Sequence, residues 1–253
     1  MLRKNLLSVL AVALLGAAAQ AETVDEIIAK NLEARGGKDK IEAVRSARIT
    51  GRMTMGEGME APIVLEWKRP GMVRMEFTIQ GMTAIQAYDG SSGWMVMPFL
   101  GKKDPEKMPA DDQKDIEEMA DVFEGPLLNY AAKGHQVELI GKEPIEGTEA
   151  YKLKLTKKNG DVAYIYLDGD AYLEIKDEGK RSRRGQEIEF ESSQGDYKEV
   201  GGLMFAHSIE QKPKGVPTSQ TISIDKIELN VDLPDARFQM PEIKAEEPSK
   251  PSN

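Results

Sequence analysis

A mainly β (α+β) fold is predicted: an incomplete antiparallel β-barrel, in effect a strongly curved sheet, with an N-terminal helix and a helical lid over its concave face. Three observations lead there. Between Ala47 and Val231, apolar and polar residues alternate with a period of two over most of the chain, as strands with one buried and one solvated face require. Turn-forming pairs such as Asp89-Gly90 and Asn159-Gly160 separate these runs. One interval, Gly101–Gly134, breaks the alternation and is too long for a hairpin connection. With no repeat and no linker, roughly a dozen strands fit one domain.

The chain opens on Met1-Leu2-Arg3-Lys4, an apolar run Leu6–Ala19 and Ala19-Gln20-Ala21. That is the pattern of a secretory signal peptide, 1–21, cut after Ala21. The next segment starts a helix: Thr23 and Glu26 form a capping box, and Val24, Ile27, Ile28 and Leu32 share one stripe. Gly36-Gly37 ends it, and a short helical stretch over Lys38–Val44 follows.

From Ala47 the period is two. Ile49–Met55, Ile63–Arg69 and Val73–Ile79 alternate cleanly, and shorter strands are expected at Met82–Tyr88 and Gly93–Met97. Within Gly101–Gly134, Ile116, Met119 and Phe123 recur at helical spacing. Pro126 and Gly134 bracket Leu127, Leu128 and Ala131, so two short amphipathic helices are expected there. Strands resume at Val137–Lys142, Tyr151–Leu155, Val162–Leu167, Ala171–Lys176, Gln186–Ser192, Asp196–Val200, Leu203–Gln211 and Thr218–Val231. The last needs a bulge, because Ile222 and Ile224 change parity to Ile227, Leu229 and Val231. Residues 22–241 thus form the folded domain, and the Pro-, Glu-, Lys- and Ser-rich tail 242–253 has too little apolar surface to fold.

Composition narrows the function. Of 253 residues, 43 are acidic and 34 basic, and removing the leader takes the net charge from −9 to −11, which argues against a nucleic-acid partner. Without any Cys there are no disulfides, thiolate metal sites or cysteine nucleophiles. A secreted chain of that kind suits a periplasm better than a disulfide-stapled extracellular scaffold. The two His, His135 and His207, are far apart and lack metal-ligand spacing, so no metal is expected. His207 shares the parity of Phe205 and Ile209 and reads as a satisfied core histidine; a hydrolase built on it is the rival from another class. Gly56-Glu57-Gly58-Met59-Glu60-Ala61 matches a dinucleotide fingerprint only formally, since strands flank it on both sides. Asp168-Gly169-Asp170 is a turn and lacks the rest of a calcium loop. The basic cluster Lys180–Arg184 is either a solvated hairpin tip or a contact to anionic headgroups.

Methionine is the informative residue. Met53, Met55, Met59, Met72, Met75, Met82, Met95 and Met97 crowd the first strand group. Unbranched, polarizable side chains suit a surface that repacks around variable apolar ligands, and equally a loosely specified core. A curved sheet with helices over its concave side can enclose a cavity. The expected lining is Met53, Met55, Ile63, Leu65, Trp67 and Val73, continued by Met75, Phe77, Met95 and Met97, under a lid of Ile116, Met119, Phe123 and Leu127. Arg69 has the parity of Leu65 and Trp67, so a guanidinium points to the apolar side; a rim arginine and a latch on the lid are both open.

Leu65-Glu66-Trp67-Lys68-Arg69-Pro70, then Asp89-Gly90-Ser91-Ser92-Gly93-Trp94, Pro98-Phe99 and the late Ala236-Arg237-Phe238-Gln239-Met240-Pro241 resemble the LolA-type outer-membrane lipoprotein carriers. The resemblance covers most of residues 22–241, and the order of the motifs carries it. The longer Ala34-Arg35-Gly36-Gly37 region and strand run Gln186–Gln211 make the chain more similar to the broad lipoprotein-sorting group than to the compact carriers, which leaves the cargo open. The resemblance implies a monomeric periplasmic carrier without catalysis or cofactor. Lipoprotein acyl chains would lie on the concave face, received from an inner-membrane transporter and passed to an outer-membrane receptor; the alternative is a free lipid or glycolipid carrier, or a lipid-sensing regulatory protein, on the same scaffold. It also implies that Arg69, the arginine before the proline, bonds to the lid backbone.

Overall fold

The computed structural model describes residues 22–56, 58–183, 186–213 and 219–242. The expected leader, the tail from residue 243 and the side chains of residues 181–186 lie outside the described residues. Helix α1 (Val24–Ala34) starts at the foreseen capping box, and α2 (Lys38–Ala43) follows the Gly36-Gly37 break. A first meander comprises β1 (Ser46–Met55), β2 (Met59–Lys68), β3 (Met72–Ile79), β4 (Met82–Tyr88), β5 (Gly93–Met97) and β6 (Lys102–Lys107). Helix α3 (Ala110–Met119) and a run of turns lead to a second: β7 (Gln136–Ile145), β8 (Thr148–Thr156), β9 (Val162–Asp168), β10 (Glu174–Arg183), β11 (Gln186–Val200), β12 (Leu203–Pro213) and β13 (Gln220–Leu229).

All thirteen strands form one antiparallel sheet in the order β6-β5-β4-β3-β2-β1-β13-β12-β11-β10-β9-β8-β7. It is open, with β6 and β7 as its edges. The β1–β13 ladder in the middle joins the two meanders, and its register slips between Thr50 and Gly51, which face Lys226 and Ile224. Asp225 is the extra residue, at the parity change read from Ile224 and Ile227.

This order dictates where the lid runs. The chain leaves β6 at one edge and re-enters at β7 on the other, so the connecting residues must cross the sheet. They cross its concave side. Ile116 packs with Val73, Tyr88, Met95 and Met97, then Phe123 and Leu128 with Trp67 and Leu203, then Leu127 with Leu153 and Leu155. Helix α1 closes the far half, with Ile27 and Ile28 buried against Leu153, Ile165 and Leu167.

Several expected boundaries move. Only one helix forms in the insertion: from Asp121 to Gly134 the backbone is turns, because Gly125 and Asn129 adopt positive φ and break the helical ladder. The charged stretch Lys102–Lys107 is an edge strand, and Pro105 and its Lys side chains suit an edge that no further strand should join. The strand expected at Ala171–Lys176 begins only at Glu174, after a turn in which Asp168 Oδ1 accepts from the Asp170 and Ala171 amides. Gln186–Ser192 and Asp196–Val200 are one continuous strand.

Candidate functional site

Register assembles the concave face in rows. Ala47, Trp67, Val73 and Tyr88 stand side by side, then Ile49, Leu65, Met75, Gln86 and Met95, then Gly51, Ile63, Phe77 and Ala84. The ten expected lining residues therefore share one face. Met53, Ile63, Trp67, Val73, Met95 and Met97 are buried, whereas Met55, Leu65, Met75 and Phe77 are partly buried. Met53, Ala61 and Ile63, with Met55, Met75, Phe77, Ile79 and Ile222, form a cluster to which the lid contributes nothing. Its rim at the hairpin tips carries Met59 and Met82, 51% and 37% exposed. Among the described residues the lid thus covers one end of the face, while the other end packs on itself around Met53, Ala61 and Ile63 and is exposed at its Met59 and Met82 rim.

Of the lid residues, Ile116, Phe123 and Leu127 are buried and Met119 is partly so. Gly93 makes the close approach possible, since a Cβ there would lie 2.9 Å from Met108 Sδ and 3.3 Å from Ile116 Cγ2. The Asp89 carboxylate fixes the turn before it by accepting from the Ser91 and Ser92 amides, each at 2.8 Å. Phe123 stacks on Trp67 at 4.5 Å between centroids, and Trp67 Nε1 donates to the Ala120 carbonyl at 2.7 Å.

Arg69 points to this side, as its parity requires, with its guanidinium 5.3 Å from the Trp67 ring. It donates to the carbonyls of Val44 (2.8 Å) and Ile41 (3.2 Å), at the end of α2, and pairs with the Glu124 carboxylate of the lid. The lid carbonyls have other donors. Arg35, just past α1, donates to Glu124 O (2.8 Å) and Phe123 O (3.1 Å). Gly125 leaves room for it: a Cβ there would meet Arg35 Nη1 at 3.1 Å.

Behind Arg35 lies a polar floor absent from the sequence reading. In β10 the register slips between Glu174, opposite Leu167, and Lys176, opposite Tyr166. The bulge turns Glu174 and Asp177, three apart, to the same face as the core residues Leu167 and Ile165. Gln194 Nε2 donates to Glu174 Oε1 at 2.7 Å, and the Tyr197 hydroxyl donates to Glu174 O at 2.6 Å. Burial, reinforced by the Asp177 charge, pushes the Glu174 carboxyl up to about 8 against the opposing pull of Arg35. Burial raises Asp177 as well, although Ser192 and Gln194 hydrogen-bond to it. A plain period of two puts Glu174 and Asp177 on opposite faces, so only the bulge reveals the pair.

The histidines have structural partners. His207 is buried with Nδ1 3.0 Å from Phe205 O, and His135 Nδ1 accepts from the Lys158 amide at 3.2 Å. Among the described residues no group of three His, Asp or Glu is arranged to hold a metal, and no helix is long and apolar enough to cross a membrane.

On the convex side, the late motif locks the sheet from behind. Trp94 Nε1 donates to Phe238 O at 2.6 Å and Arg74 Nη1 to Arg237 O at 3.2 Å. Glu66, 1% exposed, accepts from Arg48 Nη2 at 2.8 Å and Arg237 Nε at 2.6 Å. The late motif thus touches both the Leu65–Pro70 and the Asp89–Trp94 motifs.

No family model matches the sequence, and no curated protein matches it significantly. Solved structures do match. A DUF1329 family protein from Desulfovibrio piger superposes with a TM-score of 0.61 at 13% identity, over 87% of this chain and 98% of the other. A LolA superfamily protein from Nitrosomonas europaea gives 0.58 at 16%, over 87% and 98%. A putative outer membrane lipoprotein-sorting protein domain from Vibrio parahaemolyticus gives 0.56 at 14%, over 84% and 94%. The chain has the fold of these proteins.

Proposed function

We propose that this chain is a monomeric periplasmic carrier, not an enzyme, which shields lipid acyl chains on its concave face, foremost those of lipoproteins in transit to the outer membrane. One observation carries the reading: the register gathers a continuous Met-rich apolar face that runs from beneath the lid to the exposed Met59 and Met82 at its rim. Such a face accepts flexible chains of varied shape without fixed polar contacts. The shared fold with a putative outer membrane lipoprotein-sorting domain supports it, as does the secretory leader expected at 1–21. His207, engaged with its own strand, offers little to a hydrolase. Delivery from an inner-membrane transporter to an outer-membrane receptor completes the proposal.

Native mass spectrometry of the protein purified from its own envelope tests it. A bound lipopeptide is expected. Bound free lipid or glycolipid would assign the face to that cargo, and an empty protein with hydrolytic turnover would overturn the carrier.

A further inference from the structure

We propose that the rim formed by the β1–β2, β3–β4 and β5–β6 turns docks on an anionic lipid bilayer. Met59, Met82 and Leu100 enter the apolar layer, and Lys102 and Lys103 lie among the headgroups. The proposal deepens the carrier reading and rests on it for its purpose: this rim is the exposed end of the Met-rich face, so a docked protein presents that face to acyl chains.

Antiparallel order puts these three turns at one end of the sheet, opposite the turns that follow β2 and β4. Among the described residues five large apolar side chains are exposed, and three of them stand here: Met59 at 51%, Met82 at 37% and Leu100 at 67%. The turns are tight. Gln80-Gly81 joins β3 to β4 with both residues at positive φ, and Gly101 at φ 79° closes the short 3-10 turn Pro98–Leu100. A Cβ at Gly58, Gly81 or Gly101 would meet nothing within 4 Å, so all three turns face open space. Behind them the apolar packing is continuous: Phe99 lies 5.8 Å from Phe77, which packs against Met53, Ala61 and Ile63. Exposed apolar side chains on three neighbouring turns make a surface suited to an apolar phase.

Charge selects the occupant. The chain is acidic overall, yet Leu100-Gly101 is followed at once by Lys102 and Lys103, both exposed. At the same end the β8–β9 turn brings Lys157 and Lys158, and β10 carries Lys180, Arg181 and Arg183 toward its own turn. Lys102 pairs with Glu106, Lys157 with Glu118, and Lys180 with Glu187 and Glu189, while Glu60 and Asp161 are the acids beside this row. The turns at the far end carry Asp89, Glu146 and Asp170, and their Arg69 is engaged by Glu124. A negative surface therefore orients the molecule with its exposed apolar turns foremost. A second copy meeting rim to rim would instead set these lysines against their own kind.

Vesicles supply the test. The exported chain, from Glu22 onward, is sedimented with phosphatidylethanolamine–phosphatidylglycerol vesicles and, in parallel, with phosphatidylcholine vesicles. It is expected to pellet with the anionic vesicles, less so as salt is added, and only weakly with the neutral ones. Joint Met59→Ser, Met82→Ser and Leu100→Ser substitution should weaken binding at least about tenfold. Joint Lys102→Glu and Lys103→Glu substitution should weaken it about tenfold as well, and carries the test if the first variant does not fold. No pelleting of the wild type with anionic vesicles, or variants that bind as well as wild type, overturns the dock. So does self-association without vesicles that the triple substitution abolishes, which would give the rim to a second copy. Uptake of a soluble fluorescent acyl probe without vesicles reads the carrier separately, and the lysine variant should keep it. A wild type that binds vesicles but takes up no probe removes the carrier reading and leaves the dock standing.

Discussion

The side chains from Leu65 to Arg69 alternate between two surfaces. Leu65, Trp67 and Arg69 turn to the lid side, whereas Glu66 binds Arg48 and Arg237, and Lys68 Nζ donates to Leu233 O at 2.6 Å, on the C-terminal segment. Arg69 ties α2 to the lid, and its planar fork serves two carbonyls and a carboxylate together. Arg69→Leu should remove that tie and leave the Val44 and Ile41 carbonyls without their donor, at a cost of about 1–3 kcal/mol. If a closed, empty lid limits entry, the variant should bind an apolar probe more tightly, because only the open fraction is competent. Arg69→Lys, keeping the charge without the fork, should be intermediate. Probe titration alongside urea unfolding separates the effects, and weaker binding in Arg69→Leu would recast Arg69 as a direct contact to cargo. The parity of Arg69 was visible in the sequence, but its acceptors were not, since they belong to segments far away along the chain.

Among the elements, the strands with a clean period of two were legible to within a few residues. So were the capping box of α1 and the bulge in β13, because each rests on local chemistry. What escaped depends on neighbours. The lid's second half contains apolar residues at helical spacing, yet Asn129 at φ 54° and Gly125 at φ 76° divert it into turns that follow the sheet. Strand β6 has no apolar alternation because it is an exposed edge. The bulge in β10 reverses the parity that would have placed Glu174 and Asp177 apart. A lid docked by one stripe and a few polar bonds should be the least protected part of the core. Hydrogen exchange over residues 110–134 should respond to loading with lipid more than exchange over residues 46–79, which sit in the middle of the sheet. The reverse order of response would assign the moving part to the sheet.

For the molecule as a whole, the open sheet packs its apolar face under the lid and α1 without closing into a barrel. Its two ends differ: one half of the concave face is Met-rich and apolar, and the other carries Arg35, Glu174, Gln194 and Tyr197. The Met-rich half was readable from composition and parity, and the polar groups set into the other half were not.

The pairing of β1 with β13 has a consequence for how the protein is made. The first strand finds one of its two partners only in the last, so neither meander can be joined to the other until nearly the whole chain is present. Until then β1 is an unpaired edge beside an uncovered apolar face, a state prone to association with other chains. Contacts between strands so distant in sequence also make for slow folding. Stopping the chain at Pro213, before β13, should therefore abolish cooperative unfolding of both meanders rather than trim one strand; a sharp urea transition in that truncated protein would show that the halves fold independently. Until the final strand arrives, nothing in the sheet itself can seal that edge, so the order in which the strands emerge sets how long the apolar face stays exposed.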